Sequence, residues 1–376
     1  MDWTAHALDL AAVAAPPGSR WRVPVTGIPR HLFVPRWWAA RDGEWNLRVG
    51  EEDHAEWLAA AYRNWTLVTR IGVLHADQAE PDIRPEGAPT SSSTLPRLVV
   101  QMYRHASIDD RCTVLDVGTG SGYGTAVLCA RLGDTRVTAI DVDPYLNSAA
   151  ERRLAEIGFR PRIITGDATG PLDGEWDRIA AMVSVRKVPT SWLRALKSGG
   201  RLATTLTGMS VILTAEKQQD GSAIGRIELD QAMFMRTRTG IDYPPKDGAL
   251  RERARTEDGE HVAYGRYPVV KVEEAWEVLS MLELAAPGIE HTYAADGDIR
   301  TMLMVHEDGS WARAEQKGRA LPTVHQGGPR RLWDLLDEIR DYWLRHGSLP
   351  LYGAQVRITP DGTIHLQRGR WQATID

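Results

Sequence analysis

Strand-like and helix-like segments alternate between residues 90 and 243, and this alternation constrains the fold more than any other feature of the sequence. The predicted strands are short and largely apolar: Thr113–Val117, Arg136–Asp141, Arg162–Thr165, Ile179–Val183 and Arg201–Leu206. The predicted helices between them are Leu98–His105, Tyr123–Arg131, Pro144–Ile157 and Ser191–Leu196. Such alternation is typical of a parallel sheet that is covered by helices on both faces.

Two further strand-like segments, Val211–Glu216 and Ile224–Leu229, follow this region and flank Asp220-Gly221. An Asp-Gly pair between two strand-like segments indicates a β-hairpin. We therefore predict an α/β fold of the Rossmann-like, doubly wound class, in which the central sheet ends in an antiparallel hairpin.

The flanking regions differ in character, so that three domains are predicted: 1–89, 90–245 and 246–376. The first contains helical stretches and loops with Pro and Gly interruptions. The last begins with a charged linker, Lys246–Glu260, and is a smaller α+β domain with a proposed role in peptide recognition. Within it, Asp308-Gly309 and Asp361-Gly362 each predict a hairpin, and apolar residues from Leu332 to Trp343 predict a helix.

The composition is that of an ordinary globular protein, with 376 residues, 43% of them hydrophobic and 25% charged. The net charge of -5 argues against general binding of nucleic acid. Two cysteines, Cys112 and Cys129, are too few for a disulfide framework and favour a reducing compartment. We recognise no signal peptide, membrane span or metal-binding motif, and we expect a cytoplasmic monomer that holds no metal.

A glycine-rich turn follows the first predicted strand and has the sequence Asp116-Val-Gly118-Thr119-Gly120-Ser121-Gly122. Glycines at these positions let the backbone turn sharply and approach a ligand closely. The second strand ends at Asp141-Val142, where a carboxylate would bridge a ribose diol. The third is followed by Asp167-Ala168, where a carboxylate would accept a hydrogen bond from an adenine amino group.

Three acids and a glycine turn at the carboxyl ends of strands describe a pocket for an adenosine that carries a charged amino-acid tail. A dinucleotide is the obvious alternative, but its glycine spacing is G-x-G-x-x-G, and position 123 is Tyr. The terminal hairpin also disfavours a dinucleotide site. The predicted cofactor is S-adenosyl-L-methionine, and the predicted product is S-adenosyl-L-homocysteine.

These segments resemble class I methyltransferases of the protein-L-isoaspartate O-methyltransferase type. The resemblance rests on residues 114–123, on Gly166-Asp167 and on Leu196–Leu202, and it extends from residue 25 to residue 240. Residues 29–35, Pro-Arg-His-Leu-Phe-Val-Pro, are similar to an N-terminal phrase of the same family.

Residues 91–96, Ser-Ser-Ser-Thr-Leu-Pro, resemble the Ser-Gln-Pro substrate loop of that family. The resemblance implies that a hydroxyl group and backbone donors hold the substrate carboxylate. The hydroxyl position falls on Thr94, with Ser93 directly before it, and Ser92 and Pro96 are further predicted substrate contacts. A structural alternative is that the Ser/Thr run caps the helix at Leu98.

Two departures from the repair enzymes of this family point to a subgroup. Ser184–Pro189 stands where those enzymes have Ala-Ala-Pro, and a long C-terminal extension follows. With the phrases at Asp308–Trp311 and Gln326–Trp333, these features resemble relatives encoded with ribosomal peptide maturases of the ATP-grasp (graspetide) type. That resemblance implies methylation of an Asp side chain in a cyclised precursor peptide, followed by aspartimide formation. Val185 and Arg186 are then predicted substrate contacts, with Lys187, Arg330 and Arg331 as further basic candidates.

No catalytic base is predicted, because an Asp side chain has a reference pKa of about 3.9 and is already ionised at neutral pH. Two alternatives stand beside the peptide-tailoring enzyme. The first is a repair enzyme that methylates isoaspartyl residues in proteins, and the second is a catalytically silent module that binds S-adenosylmethionine.

Overall fold

The computed structural model describes residues 2–238 and 248–376. Its N-terminal part combines three helices with a small antiparallel sheet. The helices are α1 (Thr4–Ala14), α2 (Arg22–Gly27) and α3 (His54–Ala61), and the strands are β1 (Arg36–Arg41), β2 (Glu44–Val49), β3 (Leu67–Ile71), β4 (Leu74–His75) and β5 (Pro89–Ser93). Strand β5 pairs with β3, which places Ser92 opposite Val68.

The sequence predicts helical stretches and loops in the N-terminal region, but it does not predict this sheet. Several of its buried positions carry polar or charged residues, so the alternation of apolar and polar side chains is obscured. Arg70 in β3 is only 5% exposed, and its guanidinium lies 3.5 Å from the Asp143 carboxylate. Ser91 and Ser93 in β5 are also buried. A strand whose buried side chains are polar looks like a loop in the sequence.

In the central part of the chain, strands and helices alternate as predicted. Its elements are α4 (Pro96–His105), β6 (Val114–Val117), α5 (Tyr123–Leu132), β7 (Val137–Asp141), α6 (Pro144–Glu156), β8 (Arg162–Thr165), β9 (Trp176–Val185), α7 (Thr190–Ala195), β10 (Leu196–Leu206), β11 (Ile212–Lys217) and β12 (Ala223–Ile227). The strand order is β8-β7-β6-β9-β10-β11-β12, parallel from β8 to β10 and antiparallel thereafter. The predicted doubly wound sheet with a terminal hairpin is therefore confirmed.

The C-terminal part contains α8 (Gly248–Thr256), β13 (His261–Tyr264), α9 (Trp276–Ala285), β14 (Glu290–Asp296), β15 (Ile299–Val305), β16 (Trp311–Lys317), β17 (Thr323–Gly327), α10 (Leu332–His346), β18 (Gln355–Ile358), β19 (Ile364–Arg368) and β20 (Trp371–Ile375). Strands β13 to β17 form a separate antiparallel sheet, and Asp308-Gly309 lies in its β15–β16 hairpin as predicted. Helix α8 replaces much of the predicted linker. The boundary at 245/246 lies outside the described residues.

The last three strands do not join the C-terminal sheet. Strand β18 pairs antiparallel with β12, with Val356 opposite Gly225, so that β18, β19 and β20 extend the central sheet. The predicted unit 246–376 is thus divided between two sheets. The physical reason is that β12 ends the central hairpin and offers unpaired backbone groups, and a distant hairpin satisfies them. A hairpin signal in the sequence does not identify the sheet that the hairpin joins.

Helices cover both faces of the central sheet. The neighbouring residues Val114 and Leu115 in β6 are fully buried in two different apolar clusters, one on each face. Cys112 and Cys129 are buried free thiols. None of the helices within the described ranges has both the length and the apolar character that a bilayer crossing requires.

We predict that Gly225→Ala disrupts the close pairing of β12 with β11 in the central hairpin. A Cβ atom at this position would lie 1.8 Å from the Thr214 carbonyl oxygen and 2.6 Å from the Ala215 Cα, both of which are backbone atoms of β11. We expect the free energy of unfolding, measured with denaturant, to fall by about 3 kcal/mol. Gly27→Ala is the matched control, because no atom lies within 4 Å of its Cβ position. Equal stability of the two variants would contradict this close pairing.

Candidate active site

A cleft with a volume of about 260 Å³ opens at the carboxyl ends of β6, β7 and β8. It brings together eight of the residues predicted from the sequence: Ser92, Thr94, Gly118, Gly120, Asp141, Val142, Asp167 and Ala168. The other predicted residues, which are not among those lining this cleft, are Ser93, Pro96, Asp116, Thr119, Ser121, Gly122, Val185 and Arg186. The cleft therefore combines the predicted cofactor turn with the predicted substrate loop.

The glycine turn has a backbone conformation that other residues rarely adopt. Gly118, Gly120 and Gly122 have φ angles of 90°, 51° and 88°, and Gly122 is the N-cap residue of α5. A Cβ at Gly118 would lie 3.0 Å from a side-chain carbon of Val183, and one at Gly120 would lie 3.3 Å from the Ser92 carbonyl oxygen. Glycine thus allows the turn to lie directly against the end of β5.

Asp141 connects the end of β7 to this turn. Its Oδ2 atom accepts a hydrogen bond from the Gly120 amide at 3.0 Å, and its Oδ1 atom accepts one from the Asp143 amide at 3.1 Å. Burial raises the pKa of Asp141, and the two amide donors oppose that shift. Because each carboxylate oxygen has more than one lone pair, Asp141 keeps acceptor capacity toward the cleft.

The loop after β8 is fixed by short contacts. The Asp167 Oδ1 atom accepts hydrogen bonds from the Thr169 amide at 2.8 Å and from the Thr169 hydroxyl at 2.7 Å. The Ala168 carbonyl accepts one from the indole nitrogen of the fully buried Trp192, at 2.8 Å. Both cleft-lining residues therefore have a defined orientation.

Asp116 lies beneath the turn, 2% exposed. Its Oδ2 atom accepts a hydrogen bond from the Thr125 hydroxyl at 2.8 Å. Burial raises the pKa of Asp116 to about 7, although the hydroxyls of Thr125 and Tyr103 lower it. Within the described residues, the Asp116 Oδ1 and Thr119 Oγ1 atoms are buried without a hydrogen-bond partner.

The predicted substrate loop is the end of β5 together with the residue that follows it. Ser93 is 1% exposed, so its side chain does not reach the cleft, whereas Thr94 lines the cleft. Helix α4 begins at Pro96, and its N-cap residue, Leu95, makes no side-chain cap hydrogen bond. The capping alternative for the Ser/Thr run is therefore not what the structure shows, and the Thr94 hydroxyl is not used as a cap.

One wall of the cleft is formed by residues that the sequence does not predict as part of the site. Residues 233–238 line it, and they are held beside β9 by two backbone hydrogen bonds. Ser184 donates to the Met235 carbonyl at 2.8 Å and accepts from the Thr237 amide at 2.9 Å. Arg236 and Arg238 therefore line the cleft, and Arg238 also donates to the Thr90 carbonyl at 3.2 Å. The feature of the sequence that could have indicated this wall is the pair of arginines at alternate positions, Arg236 and Arg238.

Val185, Arg186 and Lys187, which the sequence predicts as substrate contacts, are not among the residues that line the cleft. Val185 is buried and pairs with Leu206 inside the central sheet. Arg186 faces Glu283 of α9 and lowers the pKa of that carboxyl, although burial raises it more. The Lys187-Val188 segment approaches the turn at Gly362. Val185 and Arg186 thus connect the sheet to C-terminal elements.

Arg330 and Arg331 also have structural partners. Arg330 donates to the Asp308 carboxylate at 2.8 Å, and its backbone amide donates to the Ser310 hydroxyl at 3.0 Å. Arg331 lies 3.8 Å from the Glu260 carboxylate. A Cβ at Gly328 would lie 2.4 Å from the Gly309 carbonyl oxygen. The two C-terminal phrases, Asp308–Trp311 and Gln326–Trp333, therefore pack against each other.

Comparison with known proteins agrees with this architecture. The family model described as "Protein-L-isoaspartate(D-aspartate) O-methyltransferase (PCMT)" matches residues 83–237. Protein-L-isoaspartate O-methyltransferase 1 of Nitrosospira multiformis is 29% identical over 214 residues, which are 55% of this chain and 74% of the relative. Protein-L-isoaspartate O-methyltransferase of Ignicoccus hospitalis is 30% identical over 150 residues, which are 38% of this chain and 71% of the relative.

A solved structure titled "Protein-L-isoaspartate O-methyltransferase" superimposes with a TM-score of 0.51 and 17% sequence identity. The superposition covers 97% of this chain and 98% of that one, so it includes the C-terminal part. The likeness in fold thus extends over the C-terminal part. Since the family model, the two relatives and the cleft agree, the chain belongs to the protein-L-isoaspartate O-methyltransferase family of S-adenosylmethionine-dependent carboxyl methyltransferases.

Proposed function

We propose that this protein methylates the free α-carboxylate of an isoaspartyl residue in a peptide or protein, the residue's side-chain carboxyl being taken up in the peptide bond. The observation that carries the proposal is the contact between the glycine turn and the end of β5, where the Ser92 carbonyl lies 3.3 Å from the Cβ position of Gly120. A cofactor on the turn and a carboxylate held at Thr94 would share one cleft. The names of the relatives support the isoaspartyl residue as the acceptor.

The residues around the glycine turn fit S-adenosylmethionine. Gly118 and Gly120 leave a cradle that side chains would fill, and Asp141 and Asp167 offer carboxylate oxygens at the ends of neighbouring strands. We assign Asp141 to the ribose hydroxyls and Asp167-Ala168 to the adenine. The Asp116 Oδ1 and Thr119 Oγ1 atoms, which belong to the turn and are buried without a partner among the described residues, are further acceptors there, and we propose that the Asp116 carboxylate favours a cationic ligand. When bound, S-adenosylmethionine supplies an electrophilic methyl group on a sulfonium and leaves as S-adenosylhomocysteine.

The protein has little chemistry to perform on the acceptor itself. A carboxylate is already the nucleophile at neutral pH, so no base has to remove a proton. We propose that the Thr94 hydroxyl donates a hydrogen bond to one carboxylate oxygen and thereby directs the other toward the methyl group. One oxygen–carbon bond forms as one sulfur–carbon bond breaks, which yields a methyl ester. Orientation and partial removal of water supply the rate enhancement.

Arg236 and Arg238 are the cations that the structure offers to an acidic acceptor. They line the same cleft as Thr94, and Arg238 reaches β5, where it donates to the Thr90 carbonyl. Arginine binds carboxylates well because its planar group presents several donors. This assignment replaces Arg186, which lies beside C-terminal elements.

A second candidate acceptor is the Asp side chain of a cyclised ribosomal peptide. It is favoured by the likeness of Ser184–Pro189 and of the C-terminal phrases to the peptide-tailoring subgroup. The first of these features lies where the C-terminal strands meet the central sheet, since Lys187-Val188 approaches Gly362. The same chemistry applies, because both acceptors present an aspartate-derived carboxylate.

We expect a linear isoaspartyl peptide to accept a methyl group from radiolabelled S-adenosylmethionine, and the matching normal aspartyl peptide to accept none. Thr94→Val should lower kcat by about tenfold, because it removes one hydrogen bond to a charged group. Its dissociation constant for S-adenosylmethionine should not change, and Thr94→Ser should retain activity. Methylation of a ring-bearing Asp peptide alone would establish the second candidate. If the protein binds S-adenosylmethionine but transfers a methyl group to neither peptide, the catalytically silent binding module is the remaining alternative.

Arg236→Gln should raise the KM for the acceptor peptide by about tenfold, because it removes a charged donor from the cleft. The effect should weaken as the salt concentration rises. Arg186→Gln is the matched control and should leave KM unchanged, because Arg186 is not among the residues that line the cleft. An effect of Arg186→Gln alone would instead support the assignment made from the sequence.

We expect the affinity for S-adenosylmethionine to rise between pH 5.5 and pH 7.5. The pKa of Asp116 is about 7 in the free protein, and a cationic ligand nearby would lower it, so that binding releases a proton. One such proton changes the affinity by at most about tenfold per pH unit. Equilibrium binding at several pH values should show a smaller rise for Asp116→Asn and an unchanged rise for the exposed Asp173→Asn. Identical pH profiles in all three proteins would exclude this role of Asp116.

A further inference from the structure

Arg30 is a fully buried arginine whose guanidinium is held by backbone carbonyl groups. Nη1 donates to the carbonyls of Ala61 at 2.6 Å and Arg63 at 3.1 Å, and Nη2 donates to those of Trp65 at 3.0 Å, Ser93 at 3.2 Å and Thr94 at 3.3 Å. No ion pair joins Arg30 to a carboxylate among the described residues. A buried charge is costly unless its hydrogen bonds are satisfied, so this set of carbonyls is a specific arrangement.

The carbonyls belong to two separate segments that meet at the cleft. Thr66, directly after the first segment, and Thr94, in the second, both line it. The same segments are joined by two other hydrogen bonds. The Leu95 amide donates to the Thr66 hydroxyl at 3.2 Å, and the Arg97 amide donates to the Asn64 side-chain oxygen at 2.9 Å. Arg30 is thus at the centre of a joint between the segment 61–66 and the substrate loop.

Arg30 also lies over the ring of the residue that follows the glycine turn. Its guanidinium carbon lies 5.3 Å from the centre of the Tyr123 ring, and Tyr123 is the first residue of α5. Phe33 is fully buried and lies 3.4 Å from the Cβ position of Gly122. The segment 29–35 therefore contacts both the substrate loop and the end of the cofactor turn.

We propose that Arg30 is a positioning residue that sets the distance and orientation of Thr94 relative to the glycine turn. The proposal rests on the function assigned to Thr94 above. Arg30 touches neither the acceptor nor the cofactor, and acts through the Ser93 and Thr94 carbonyls. Lysine cannot replace it, because one ammonium group has three donors at a single point, whereas the guanidinium spreads its donors over a plane.

Arg30→Lys should lower kcat on the isoaspartyl peptide on the order of 100-fold, since small displacements of reacting groups have effects of this size. The dissociation constant for S-adenosylmethionine should stay unchanged. Arg313→Lys is the matched control, because Arg313 is also buried and donates to the Ala254 and Arg255 carbonyls far from the cleft. It should lose thermal stability but keep kcat. An unchanged kcat in Arg30→Lys, or equal losses of kcat in both variants, would overturn the proposal.

Hydrogen exchange tests the joint even if Arg30→Lys does not fold. In the unsubstituted protein, the backbone amides of residues 62–66, 93–95 and 97 should exchange through one common opening, with equal protection. Separate openings would overturn the proposal. Where the variant folds, both segments should exchange faster while β6 is unaffected. This measurement needs no acceptor, so if neither peptide is methylated, the proposed function fails but the exchange data still decide whether Arg30 joins the two segments.

Discussion

The close approach of the glycine turn to the end of β5 is the constraint on which the rest of the site depends. At Gly120, a φ of 51° would strain any other residue, and a Cβ atom would lie only 3.3 Å from the Ser92 carbonyl oxygen. The hydrogen bond from the Gly120 amide to Asp141 then connects the same turn to the end of the next strand. One tight turn therefore brings a predicted ribose contact and the substrate loop together.

The N-terminal sheet has a clear role in this arrangement, since it carries β5 to the turn. Polar contacts attach that sheet to α6. His75 lies 3.1 Å from the carboxylate of Asp143, which caps α6 through the Tyr145 amide. Asp77 accepts a hydrogen bond from the Tyr145 hydroxyl at 3.1 Å and pairs with Arg153 at 2.5 Å. The predicted substrate loop and the strands of the central sheet are thus parts of one packed structure.

The sequence predicted best the parts whose signal is local. Strand β8 has the predicted limits, Arg162–Thr165, and Asp141 and Asp167 line the cleft because each ends or follows a buried strand. The sequence did not predict the positions of side chains that depend on contacts with residues far away in the chain. Ser93 looks equivalent to Thr94 in the sequence, but β3 pairs with β5 and Ser93 is buried, whereas Thr94 follows the strand and lines the cleft. The role of Arg236 depends on a contact with Ser184, far away in the chain.

The cleft holds charges of both signs close together. The carboxylates of Asp141 and Asp167 lie at the strand ends, on the side of the glycine turn. Arg236 and Arg238 lie on the wall formed by residues 233–238, and the charge of Arg238 opposes the rise in the pKa of Asp141 that burial causes. The net charge of -5 gives no hint of this local arrangement. Because attraction at short range is strongest where water is excluded, the local arrangement decides what binds.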